Sequence, residues 1–133
     1  MSKGTIQHYM TGINTLDNEH IIIFNKIDEM LKEVGDGAKV LRMFDEFILF
    51  LIAHFKVEEL YMTEIGFPYI VAHTEMHIKI IGRLQNSSRR SHSDINYVDS
   101  KYYLNDLTRM LLTHVDQYDL KIGEYKKEKD RKK

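Results

Sequence analysis

The residues with the most chemistry in this 133-residue chain lie between His54 and His77. His54-Phe-Lys-Val-Glu58 and His73-Thr-Glu-Met-His77 each place two metal-binding side chains four residues apart. On a helix, each pair therefore projects from one face. Between them, Gly66-Phe67-Pro68 reads as a helical hairpin turn, with glycine fit to end one helix and proline to begin the next. Folding about that turn brings Glu58 level with His73 and His54 level with His77. Reflection about Gly35-Asp36-Gly37 puts His54 level with residue 19, beside His20. Reflection about residues 92–95 puts His73 and His77 level with residues 110–116, where His114 lies and Asp119 follows just over one turn later. Five of the seven histidines and two carboxylates thus share one height; His8 and His92 lie elsewhere.

Five converging imidazoles are hard to satisfy inside a protein without a cation, because desolvated polar groups would be left poorly paired. Seven donors exceed what one first-row metal takes from a protein, whereas two metals sharing both carboxylates would use them all. Imidazole with carboxylate suits iron, zinc, copper or nickel, and does not suit a magnesium or calcium cage. The chain has no cysteine, which excludes disulfides, iron–sulfur clusters and thiolate sites and fits a cytoplasmic protein. The expectation is a histidine-rich dinuclear site, with iron as the leading metal and room for an open coordination position.

The elements that must position these residues are all helical. The pattern predicts an irregular arm over 1–16, carrying Ile6, Tyr9 and Met10 across the bundle, then helices over about 18–34, 38–65, 69–86 and 96–126. Asp17 is expected to cap the first helix, with support of His20 as its alternative role. The polar stretch from Asn86 to Asn96 reads as the longest loop. Short connections favour antiparallel neighbours, hence an up-down-up-down four-helix bundle in a single domain. No apolar run is long enough to span a membrane, and no signal-peptide core follows the N-terminus. The tail 126–133 holds six basic and two acidic residues, so it carries +4 and the remainder −5 of a net −1. It reads as a solvated, frayed terminus; with no aromatic residue interleaved and no basic stripe upstream, nucleic acid is not an expected partner.

The pattern Asp17-x-x-His20, His54-x3-Glu58, His73-x3-His77, His114-x4-Asp119 resembles the hemerythrin family, in particular its single-domain bacterial members, the bacteriohemerythrins. The resemblance covers about residues 9–125. It implies two iron ions per chain, bridged by Glu58, Asp119 and a solvent-derived oxygen. His73, His77 and His114 would hold one iron, and His20 and His54 the other, which keeps the open position. It implies dioxygen as the ligand, bound reversibly for storage, delivery or sensing rather than enzymatic turnover, and leaves any oxygen-consuming partner protein unidentified. The alternatives are a di-iron redox enzyme acting on peroxide or nitric oxide, and an iron-holding regulatory module. Ile23, Ile27, Phe55 and Leu111 are candidates for an apolar oxygen pocket. Glu59 points about 100° from Glu58 and is assigned to the surface or to outer support. Met62, Met76 and Met110 are read as gap-fillers, and Tyr61 and Tyr118 as rim or hydrogen-bonding residues. Bacterial members often carry a tryptophan in the arm; this chain has none, and Thr5-Ile6 or Tyr9 stands there.

Overall fold

Glycines and short polar caps divide the chain into antiparallel helices. The computed structural model describes residues 7–133, so Thr5 and Ile6 of the arm lie outside it. Helix α1 spans Asn14–Lys32, α2 Gly37–Ile65 and α3 Ile70–Ser93. Helix α4 (Lys101–His114) passes through a π turn (Val115–Asp119) directly into α5 (Leu120–Arg131). The pairs α1–α2, α2–α3 and α1–α4 pack most closely. The architecture is the expected all-α four-helix bundle, the fourth helix being the α4–π–α5 rod.

The stops follow backbone chemistry. Gly66 ends α2 with φ 70°, a left-handed conformation that glycine adopts without strain. The carbonyls freed at that end are met from α5: Lys129 Nζ donates to Ile65 O at 2.6 Å and the Tyr125 hydroxyl to Gly66 O at 3.2 Å. Asp36 caps α2 by accepting from the Lys39 amide, and Ser100 caps α4 by accepting from that of Tyr103.

Four expectations are corrected. Helix α1 starts at Asn14 rather than 18, so Asp17 sits in its first turn. The Asp17 carboxylate reaches back to accept from the Thr11 amide (2.8 Å), the Thr11 hydroxyl (2.8 Å) and the Gly12 amide (3.0 Å), tying down the arm. Helix α3 continues through the stretch read as a loop, to Ser93. Its serines are weak helix formers, but Ser91 is buried and bonds the Ser87 carbonyl, while Ser88 bonds Asp45 on α2. The true connection is 94–100, so α4 begins at Lys101 rather than 96; Asp99 in that connection accepts from the Gly35 amide and joins two turns at one end of the bundle. The basic tail is helical to Arg131, with Lys126 paired to Asp130 and Arg131 to Glu128.

The arm docks where α5 has no side chain. A Cβ on Gly123 would stand 2.0 Å from the Thr11 carbonyl oxygen, inside any tolerable contact. Gly123→Ala is therefore expected to displace the arm and destabilise the fold by about 1–3 kcal/mol, the usual range for overpacking. Urea unfolding would measure the loss, and faster hydrogen exchange at the Thr11 and Gly12 amides would locate it.

Candidate metal centre

One polar layer crosses the bundle between two apolar clusters. Helix α1 contributes His20, α2 His54 and Glu58, α3 His73 and His77, and the α4–π–α5 rod His114 and Asp119; all seven are buried, Glu58 completely. The i, i+4 pairs on α2 and α3 lie on single helical faces, as their spacing requires. His114 and Asp119 are five apart, which on a regular α-helix would leave them about 140° from each other. The π turn removes that discrepancy. The Leu120 amide donates to Val115 O, an i to i−5 bond that absorbs one extra residue and swings Asp119 back toward His114. His114 Nε2 and Asp119 Oδ1 are 3.3 Å apart.

Each carboxylate divides its two oxygens between two groups of histidines. Glu58 Oε2 faces His20 Nε2 at 3.0 Å and His54 Nε2 at 2.9 Å. Glu58 Oε1 faces His77 Nε2 at 3.0 Å and His73 Nε2 at 3.4 Å. Asp119 repeats the division, with Oδ2 3.1 Å from His20 Nε2 and Oδ1 3.0 Å from His73 Nε2. Two donor sets result, each with all its donor atoms within 4.8 Å of one another: Glu58, His73, His77, His114 and Asp119 in one, and His20, His54, Glu58 and Asp119 in the other.

The layer is poorly satisfied by itself. Among the described residues, Glu58 Oε1, Asp119 Oδ1 and the Nε2 atoms of His73, His77 and His114 are buried without a hydrogen-bond partner. These atoms approach one another closely but out of line, and buried polar atoms are rarely left so. They are the inner atoms of the five-residue set, and a cation among them would satisfy all of them. The donor set therefore fits a metal, and its nitrogen and oxygen chemistry suits a first-row transition ion.

Outer carboxylates fix two rings. Glu19 Oε1 lies 2.7 Å from His54 Nδ1, and Glu59 Oε2 lies 2.9 Å from His77 Nδ1. Each carboxylate accepts a hydrogen bond from the Nδ1–H, which turns the Nε2 lone pair inward and raises its basicity. One ring of each donor set is held this way. Glu59 thus realises the outer support expected of it, whereas Glu19 was missed; the reflection that placed residue 19 level with His54 already carried the signal. Asp17 does not support His20, whose Nδ1 has no partner among the described residues.

Aromatic contacts complete the surroundings. Phe55 stacks on His77 with centroids 3.7 Å apart and planes within 5°. Tyr118, read as a rim or hydrogen-bonding residue, stacks on His114 at 5.2 Å and meets the edge of His73 at 5.7 Å. Tyr61 and Met62 lie instead at the hairpin end, in or against the smaller apolar cluster. A cavity of about 10 Å³ is lined by His20, His54, His114 and Asp119 together with Ile23, Phe24, Leu51, Phe55, Leu111 and Val115. Of the four expected pocket residues, three are in its wall; Ile27 is buried in the core beyond it. Phe24, Leu51 and Val115 were missed because their spacing is that of ordinary core.

Protonation in the metal-free layer is set by the same contacts. Burial works against charging His20, but Asp119 and Glu58 outweigh it and raise its pKa to about 10. His73 is raised in the same way to about 9. Burial would raise Glu58, yet the facing imidazoles hold it well below the usual carboxylate range. The signs follow by linkage. A histidine whose folded pKa exceeds its unfolded value of 6.5 contributes stability that is full below 6.5 and lost as pH rises through 9 and 10. Glu58 contributes stability present above its unfolded value of 4.5 and lost as pH falls. The metal-free chain should therefore be most stable between about pH 4.5 and 6.5 and lose stability toward pH 10. Urea midpoints across that range measure this; a midpoint rising toward pH 10 would contradict it.

Comparison with known proteins assigns the family. Residues 11–125 match the hemerythrin HHE cation binding domain. The bacteriohemerythrin of Campylobacter jejuni is 31% identical over 88% of this chain and 90% of its own length. That of Methylococcus capsulatus is 23% identical over 90% of this chain and 92% of its own. A crystal structure of wild-type hemerythrin superposes with a TM-score of 0.80 at 22% identity, over 86% of this chain and 88% of that one. With the matched domain model covering most of its length, the chain belongs to the hemerythrin family.

Proposed function

We propose that this chain, as a single domain, holds two iron ions and binds dioxygen reversibly, in oxygen storage, delivery or sensing. The observation that carries this reading is the division of Glu58 and Asp119 between the two histidine groups. In this reading each carboxylate would serve as a bridge, with His73, His77 and His114 holding one iron and His20 and His54 the other. The three-histidine side then has five protein donors and the two-histidine side four, which leaves the latter more open to an added ligand. When bound, the iron pair supplies the electrons that dioxygen takes up.

The residues of the chain shape that event. Glu19 and Glu59 hold the His54 and His77 rings in the tautomer that directs Nε2 inward. The cavity beside His20 and His54 is about the smallest that admits one water-sized molecule. Its apolar wall of Ile23, Phe24, Leu51, Phe55, Leu111 and Val115 excludes bulk water and the proton donors that would carry a reduced product away. A ligand set dominated by neutral imidazole stabilises high-valent iron less than a carboxylate-rich one, which favours carrying oxygen over cleaving it.

The test is optical and analytical. Anaerobically reduced, iron-loaded protein should gain a visible charge-transfer band in air and lose it on deoxygenation, through repeated cycles. Rapid irreversible oxidation, or turnover of added peroxide or nitric oxide, would favour a redox enzyme instead. Iron well short of two per chain in carefully loaded protein would sink the dinuclear reading. His77→Ala should abolish the band while leaving most of the far-ultraviolet helical signal, because the apolar clusters on either side of the layer remain.

A further inference from the structure

We propose that the groove between α3 and α4 is the docking surface for a small acidic one-electron carrier protein, with Tyr118 and His114 as the route of electron entry. This rests on the iron-pair reading above. An oxygen carrier whose iron becomes ferric is inert until reduced, so an entry for electrons from the protein surface has a use.

Three observations point to this face. Helices α3 and α4 are not among the closely packed pairs, and the seam between them opens into a groove of about 440 Å³. The lining carries Lys79, Arg83 and Arg109 against a single acid, Asp106, in a chain whose net charge is −1. Asp106 is shared by Arg83 and Arg109 at 3.5 Å each, so the patch remains basic. The groove reaches His114 and Tyr118, the stacked pair at the three-histidine group. The groove between α2 and α3 offers a contrast. It is of similar size, about 400 Å³, and reaches His77, but its charged residues Lys56 and Glu59 cancel. Of the two, the α3–α4 groove alone combines contact with a ring of the layer and a surplus of positive charge.

Such a patch attracts an acidic partner and orients it, raising the encounter rate in a salt-dependent way. Half-buried Met76 and Met110 line the groove, with Arg83 Nη1 donating to Met110 Sδ at 3.4 Å, and give the partner an adaptable apolar contact beside the cations. In the step itself two reduced carriers each lose one electron, and two ferric ions each become ferrous. A solvent-derived oxygen between the ions would become more basic as their charge falls and would take up a proton from water.

The experiment uses reduced and oxidised plant-type [2Fe–2S] ferredoxin as the acidic probe. Zero-length carbodiimide coupling of the oxidised probe to the full chain should join its carboxylates to Lys79, as mapped by mass spectrometry. This arm does not depend on iron, so it separates failure of docking from failure of the iron-pair reading. In stopped flow, reduction of the ferric protein should slow by about 10-fold or more at low salt in the Lys79→Glu/Arg83→Glu/Arg109→Glu variant. Lys56→Glu should change little, and reduction by a small neutral reductant should be unaltered in both. Tyr118→Leu should slow reduction by the probe while leaving its coupling intact. If the triple variant fails to fold, Lys79→Glu alone and the salt dependence of the native chain supply the same reading. Coupling at Lys56 rather than Lys79, equal effects of the two reversals, or no effect of Tyr118→Leu would overturn the proposal.

Discussion

Glu58→Ala should abolish metal binding at both donor sets at once. The side chain is fully buried and its two oxygens lie within 3.4 Å of four imidazole nitrogens from three helices. Removal takes a donor from both sets and a negative charge from the centre of the layer. Truncation of an outer carboxylate is milder: Glu19→Ala or Glu59→Ala releases one ring and should weaken metal affinity by about 10–100-fold. Glu58→Ala should exceed that range and bring bound iron to well below one per chain after loading and gel filtration. Most of the helicity should survive in all three, since none removes contacts from the large apolar cluster. Iron content by colorimetric assay beside circular dichroism separates the outcomes. Two irons retained in the Glu58→Ala variant would mean that this carboxylate is not a bridge.

Much of this was readable in the sequence because the layer obeys one periodicity. Leu16, His20 and Ile23 on α1, or Leu51, His54, Glu58 and Met62 on α2, are core positions in which polar residues replace apolar ones at helical spacings of three or four. Reflection through short turns then aligned them across helices, since a helix advances equally per residue on both sides of a hairpin. The one break in the rule, the x4 spacing of His114 and Asp119, marked the π turn, but a spacing alone does not say how the backbone absorbs an extra residue. The extension of α3 to Ser93 was not legible, because what offsets the weak helix propensity of its serines is a bond to Asp45, on another helix. The Thr11–Gly123 contact was hidden for the same reason: nothing local shows that a glycine in α5 receives the arm. The groove over His114 depends on which helix pairs stay apart, a property of the whole packing.

Metal removal should have the other large effect, and it should be uneven along the bundle. The polar layer separates a large apolar cluster, including Ile27, Phe44, Phe47 and Leu104, from a small one of Leu16, Met62, Ile65, Phe67 and Ile122. The large cluster can hold its helices without a metal, because buried apolar area stabilises roughly in proportion to its extent. The small cluster cannot do so alone. Its helix segments and the arm above it are joined to the rest through the layer, where eight buried polar atoms have no hydrogen-bond partner among the described residues. A metal held at about 1,000 times its dissociation constant adds about 4 kcal/mol to the folded state. For a domain of this size that corresponds to a fall in Tm of more than about 10 °C on chelation. Hydrogen exchange should place most of the loss at Ile13–Leu16, Met62–Phe67 and Leu120–Tyr125, with Phe44–Leu51 little changed. Uniform loss of protection along all four helices would instead mean that the layer nucleates the whole bundle, and retention at the hairpin end would mean that the small cluster stands without the metal.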